Sequence, residues 1–366
     1  MYWKTKMRKL KIAYLSCGSF THIGPYIEFF KSRGHDITLI AYDTPNRDYG
    51  VKVIDISRGA CGKEAGSKWK YLLAGMSLKK IIKELRPDIL HGHYVTSAGV
   101  IGMLSGFKPL VLTAHGSDVI GSMPSKLWRM ILKCVFAKAA YINPVSERLA
   151  EHIRTLGIPN DKIVVATLGV DTDIYTCKPF EEFHRPLRLL CTRTLADVYD
   201  PMTIIKAAKV LKAKGVDFTI TFAAGGDMEE QLKDVSAQQG VRDKIRFMGG
   251  YNNNQLPALL HEHDIFVSAS LWDGTSISLL EAMAAGIYPI VSRIPANTAW
   301  LDEGVTGSMH AVGNSDELAG AIIEAMRKPD HIATAIKANR DRVVEKGGRT
   351  RNMEKIEAIY YKLIKT

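Results

Sequence analysis

Short apolar runs and amphipathic stretches take turns along the first 150 residues. Runs at 10–16, 36–41, 51–56, 88–91, 109–113 and 140–144 predict buried strands. Between them, 23–33, 68–85, 97–104 and 125–139 carry the three-to-four-residue apolar period of helices, and Ser146 is placed to cap the next one. Such alternation predicts a parallel sheet covered by helices on both faces. The pattern breaks at 176–187, where Pro179 and Pro186 flank a stretch without periodicity, which reads as a linker. It then restarts, with strands at 187–193, 217–223, 245–248, 265–268 and 288–291 and helices at 201–214, 228–239, 256–261 and 276–285. The expected class is α/β, with two doubly wound Rossmann-like domains facing across a cleft. The expected domains are 1–178 and 179–348, with a helix in 349–366 packing back on the first. Ligands in such folds bind at the carboxyl ends of the strands.

Charge adds an asymmetry. The net charge of +11 sits in the first half: residues 1–180 hold 26 Lys+Arg against 14 Asp+Glu, and the remainder 23 against 24. A basic first half implies an anionic partner such as a membrane surface, a phosphorylated lipid or a nucleic acid. Residues 68–73 and 126–138 mix Trp, Lys or Arg with aliphatics as interfacial helices do; core packing with extended Lys stems is the plainer alternative. No apolar run reaches the ~18 residues of a bilayer span. The basic start, 1–9, leads into a strand rather than a signal-peptide core. Five cysteines without a Cys-x-x-Cys pair make neither a disulfide framework nor a zinc site. Together these predict a cytoplasmic protein, peripheral on the inner face of the cytoplasmic membrane.

The strongest chemical signal is 270–286. A strand ends, a Gly turn follows, and a helix starts near Gly274, Thr275, Ser276 and Ile277. Helix-start amides and the helix dipole make a phosphate site. Glu281 lies in an apolar run, where a carboxylate is costly to bury without a partner; vicinal hydroxyls such as those of a ribose would supply one. Asp273 precedes the helix and suits sugar hydroxyls. Arg193, at the end of the first strand of the second half, offers a permanent planar charge to an anion. His115 follows a strand and so lies at a sheet's carboxyl end. His91-Gly92-His93 lacks a third ligand in view and is a weak metal candidate. The turn at Gly18 lacks the full Gly-x-Gly-x-x-Gly fingerprint, which disfavours a dinucleotide oxidoreductase.

Asp273, seven residues, Glu281-Ala282-Met283-Ala284 and the Gly286–Pro289 turn resemble the motif of the retaining glycosyltransferases of family four (glycosyl transferases group 1), which have the GT-B architecture. Segments 113–119, 145–147, 168–171, 224–227 and 246–250 match in order, so the resemblance spans nearly the full chain. It implies sugar transfer from a nucleotide sugar, UDP-linked first and GDP-linked second, to a glycan acceptor on a lipid carrier, in cell-surface polysaccharide synthesis. Glu281 would bind the donor ribose, Asp273 the donor sugar and Arg193 the diphosphate. Gly274, Thr275, Ser276 and Ile277 would complete the donor site. His115 would sit beside the reacting carbon. Gly18 and Ser19 would lie near the diphosphate, Gly225 and Gly226 would let backbone approach the nucleotide, and His22 and His93 would face the acceptor. The implied partners are the nucleotide sugar, the acceptor and an anionic membrane surface, with no cofactor, metal or nucleic acid.

Two departures stand out. The family usually has Glu where this chain has Asp273. It usually also has a Lys shortly after the phosphate-binding Arg, and Tyr199 falls near that place; Arg293 is one candidate replacement. The missing lysine motivates a competing reading, a nucleotide-sugar-binding relative that does not turn over. The pI of 9.3 motivates another, a nucleic-acid-binding protein, although no nucleic-acid motif is present.

Overall fold

A computed structural model of the chain describes residues 8–18, 21–45, 48–57, 70–252 and 254–365. The first unit holds a parallel sheet of six strands: β1 (Lys11–Ser16), β2 (Asp36–Ala41), β3 (Lys52–Asp55), β4 (Ile89–His93), β5 (Leu110–Ala114) and β6 (Tyr141–Pro144). Their order is β3-β2-β1-β4-β5-β6. The second unit repeats the plan with β7 (Leu187–Cys191), β8 (Phe218–Phe222), β9 (Ile245–Phe247), β10 (Ile265–Ser268), β11 (Tyr288–Ser292) and β12 (Ser308–His310), in the order β12-β11-β10-β7-β8-β9. Both sheets are doubly wound, and the winding reverses between β1 and β4 and between β7 and β10. Loops leaving those neighbours open a crevice where ligands sit in such folds.

The strands are apolar on both faces because helices cover both. In the first sheet, Leu15, Leu90 and Leu112 pack one face with Leu78, Ile101 and Phe136. Ile12, Tyr14 and Val111 pack the other with Tyr26, Phe30 and Tyr360. In the second, Leu189, Ile220 and Val267 meet Ile204, Leu211 and Leu318, while Leu190, Phe266 and Val291 meet Leu260, Leu280 and Met283.

The boundary differs from the expected 178/179. The two units are 1–168 with 350–366, and 169–349. Residues 169–178 lack periodicity, yet side chains and backbone of the second unit hold them. Arg340 donates to the carbonyls of Thr172 (2.7 Å), Tyr175 and Ala284 (2.9 Å), and Lys178 N–H donates to Ala285 O at 3.1 Å. The last helix, Arg349–Ile364, is built into the first unit by Met353, Ile356 and Tyr360. Its buried Glu357 accepts from Arg33 Nη2 and from His35 Nε2, both at 2.9 Å. Strand β12 and the helices Ser315–Met326 and Pro329–Arg342 were not among the predicted elements.

Candidate active site

In the second unit, Arg193 leaves the carboxyl end of β7 and Asp273 lies beyond that of β10, so adjacent strands aim them at one place. Arg193 Nη2 donates to Asp273 Oδ2 at 2.6 Å and Nη1 to Ser278 Oγ at 3.1 Å. The Tyr199 ring lies under the guanidinium, with Cζ 4.0 Å from the ring centroid. Arg193 Nε is buried with no partner. The predicted replacement cation, Arg293, is instead paired with Glu303.

The helix Ile277–Ala285 begins beside this pair, with the Ser276 hydroxyl accepting from Leu279 N–H and Gly286 ending it in the left-handed region at φ 82°. Gly274 and Thr275 form the approach, where Thr275 Oγ1 donates to Gly274 O at 2.9 Å. The first amides of a helix lack intrahelical acceptors, so this end is polarised toward an anion. One turn in, Glu281 accepts from Tyr175 O–H at 2.9 Å. Burial pushes its carboxyl up to about 7, against the hydrogen bond from Tyr175 and the charges of Arg349 and Arg193. A carboxylate held this way retains acceptor capacity for hydroxyl donors.

Gly226 and Gly225 follow β8 and have different roles. A methyl group at Gly226 would sit 2.6 Å from the Leu195 carbonyl carbon and 2.8 Å from its nitrogen. Leu195 N–H donates to Gly225 O at 3.1 Å, and Met228 N–H to Leu195 O at 3.1 Å. Gly226 therefore lets its loop lie directly on the loop carrying Arg193. Gly225 is open, with only Glu229 Oε2 within 4 Å of such a methyl.

In the first unit, β4 and β5 end in His93 and in His115 just beyond. His93 Nδ1 and His115 Nε2 are 3.2 Å apart. Tyr94 stacks on His115 with centroids 4.4 Å apart and planes at 15°, and His22 stacks on it at 5.4 Å. Burial, then the neighbouring histidines, holds His93 and His115 well below the usual imidazole range, so both are neutral at pH 7. The buried Asp118 carboxylate accepts from the backbone N–H groups of Val95 (2.8 Å), His115 (3.1 Å) and Gly116 (2.9 Å), which fixes the His115 loop. His91 is structural: Nδ1 lies 2.5 Å from Tyr360 Oη and Nε2 2.7 Å from Thr113 Oγ1. Gly18 lies in the turn two residues after β1; a methyl there would lie 2.7 Å from Asp43 O and 2.8 Å from Pro45, so close packing requires glycine. Ser19 lies outside the described residues. Among the described residues, no three His, Cys, Asp or Glu gather as a metal set.

Residues 178–342 match the family model of glycosyl transferases group 1, and residues 11–146 that of glycosyl transferase 4-like proteins. The chain belongs to the group 1 glycosyltransferases. It is 25% identical over 71% of its length to the amylovoran biosynthesis glycosyltransferase AmsK of Erwinia amylovora, covering 67% of that protein. It is 22% identical to an Escherichia coli UDP-Gal:alpha-D-GlcNAc-diphosphoundecaprenol alpha-1,3-galactosyltransferase, over 79% of each chain. The crystal structure of Anabaena HepE in complex with UDP superposes with a TM-score of 0.78 at 16% identity, covering 97% of this chain and 100% of that one. The fold is therefore the two-Rossmann GT-B fold.

Within this glycosyltransferase, sequence reasoning singled out Arg193, Asp273 and Glu281 but not Tyr175 or Arg349, which partly offset the effect of burial on Glu281. Nor did it single out Asp118, although that residue stands three positions after His115. Gly226→Ala should destabilise the transferase by about 1–3 kcal/mol, as overpacking does, and should weaken nucleotide binding by shifting the Arg193 loop. Thermal melts with and without nucleotide check both effects; an unchanged melt would contradict the packing described.

Proposed function

We propose that the chain is a retaining glycosyltransferase that moves a sugar from a nucleotide sugar, UDP-linked in preference to GDP-linked, to a glycan acceptor on a lipid carrier in cell-surface polysaccharide synthesis. The observation that carries this reading is Arg193, held between Asp273 and Ser278 at the start of the helix bearing Glu281. In transfer, the bond from the anomeric carbon to the diphosphate breaks and one to the acceptor oxygen forms on the same face. The acceptor proton passes to the released diphosphate. Charge grows on that leaving group, and a fixed guanidinium with helix-start amides stabilises it where it develops. Glu281 takes ribose hydroxyls and Asp273 takes sugar hydroxyls. His115 contributes a neutral imidazole beside the sugar; its burial keeps it from acting as a cation. No metal is required for these roles.

Support for the donor and acceptor classes comes from relatives: HepE is solved with UDP, and the E. coli relative is named for a UDP-sugar donor and a diphosphoundecaprenol-linked acceptor. The missing lysine favours a second reading, a nucleotide-sugar-binding relative without turnover. Incubating the protein with UDP- and GDP-sugars and a polyprenyl-diphosphate-linked glycan separates the two. A product with the donor's anomeric configuration, read by NMR, supports the first. Binding without product supports the second, and an inverted linkage sinks the retaining mechanism.

The membrane reading extends this account. The helix Lys126–Lys138 buries Leu132, Val135 and Phe136 but exposes Leu127 (50%) and Met130 (60%) among Lys126, Arg129 and Lys133. Elsewhere in the first unit, Leu73, Met76 and Leu104 are also exposed, and Leu104 packs over Gly75. No helix among the described residues is long and apolar enough to cross a membrane. Exposed apolar residues ringed by cations suit an anionic bilayer surface; Trp69 lies outside the described residues. Replacing Leu127 and Met130 together by Asp should reduce binding to phosphatidylglycerol vesicles by about tenfold, with nucleotide binding unchanged. Equal vesicle binding by both proteins in a sedimentation assay would remove this face from the account.

A further inference from the structure

Tyr199 stands near the place of a cation in the family motif, and its ring covers one face of Arg193. We propose that Tyr199 is a positioning residue for Arg193. It makes up for the missing lysine without touching phosphate, by fixing the guanidinium plane so that its uncommitted N–H donors are held for the diphosphate. The inference rests on the reading of Arg193 as the diphosphate ligand.

A guanidinium has five donors in one plane. Here Nη2 is committed to Asp273 and Nη1 to Ser278, the ring takes one face, and Nε has no partner. Two hydrogen bonds, one from Nη1 and one from Nη2, leave the plane free to tilt; a stacked ring removes that freedom. The ring itself sits on a rigid corner. Tyr199 N–H donates to Ala196 O at 2.9 Å, and Leu271 N–H donates to Val198 O at 2.9 Å, which ties this turn to the loop carrying Asp273. The next residue, Asp200, adopts φ 41° and accepts from Thr203 N–H at 3.2 Å and Thr203 Oγ1 at 2.5 Å, capping the helix Pro201–Ala213. The attraction is electrostatic to the ring face, so the phenol oxygen is not needed.

The test measures calorimetric binding of UDP and uridine, or of GDP and guanosine if GDP gives the larger thermal shift, to the full-length protein and its variants. Tyr199→Leu should weaken the diphosphate about tenfold, the scale of a partly desolvated cation–π contact, and leave the nucleoside unchanged. Tyr199→Phe and Tyr199→Trp, which keep an aromatic face, should stay within about twofold of wild type, and remain informative if the leucine variant melts poorly. Equal losses for nucleoside and diphosphate would make Tyr199 merely structural and overturn the proposal. So would a leucine variant that binds like wild type, or a Phe variant as damaged as Leu. Arg193→Ala is measured alongside: if it leaves diphosphate binding intact, the reading of Arg193 fails, whereas a loss there with none in Tyr199→Leu removes the positioning role alone.

Discussion

Arg193→Ala is expected to lower sugar transfer by roughly 100-fold or more, the usual loss when one fixed donor is removed from a developing oxyanion. The argument starts from position. Adjacent strands β7 and β10 deliver Arg193 and Asp273 to one point, and the pair meets at 2.6 Å with little solvent exposure. A charge so placed is weakly screened and needs no reorganisation as the leaving group forms. Losing it should therefore cost more in kcat/KM than in folding. Asp273 would then lack its ion-pair partner, and the melting temperature should fall by only a few degrees. Transfer within tenfold of wild type, measured with the preferred donor, would contradict the role.

Glu281→Gln should separate stability from function. Burial holds the Glu281 carboxyl at about 7 in the folded protein, against an ordinary 4.5. The folded state thus binds this proton more tightly than the unfolded state, so stability falls as pH rises from about 4.5 through 7. At pH 8 the ionised, buried side chain costs up to about 3 kcal/mol. Glutamine removes that cost, and the melting temperature should rise by roughly 2–6 °C at pH 8, with the gain vanishing toward pH 5. An amide has one acceptor oxygen where the carboxylate has two, so nucleotide binding should drop by about tenfold or more. A gain independent of pH, or no loss of binding, would contradict this account of Glu281.

The sequence carried much of this plan because a doubly wound sheet writes itself into a repeating pattern of runs and periods. Eleven strands and the helix bearing Glu281 were legible that way. Strand β12 was not, because three residues carry no period, and neither was the 168/169 boundary, because Arg340 holds residues 172–175 through backbone carbonyls. Asp273, in the loop before the helix Ile277–Ala285, and Glu281, within it, lie eight residues apart in one continuous segment, so spacing exposes them. Tyr175 and Glu281 lie 106 residues apart, and Arg349, whose charge acts on Glu281, stands at the far end of the unit in sequence. Tyr199 is six residues from Arg193, yet only the turn ahead of Asp200 brings ring and guanidinium together.

The most direct measurement is thermal stabilisation of the purified protein by a panel of UDP, GDP, CMP, NAD and several nucleotide sugars, run on wild type, Glu281→Ala and Arg193→Ala. A ligand that binds only the folded state raises its melting temperature. The account predicts a selective shift with UDP or GDP and its sugars, lost in both variants. No shift with any nucleotide, or a shift that both variants retain in full, would contradict it.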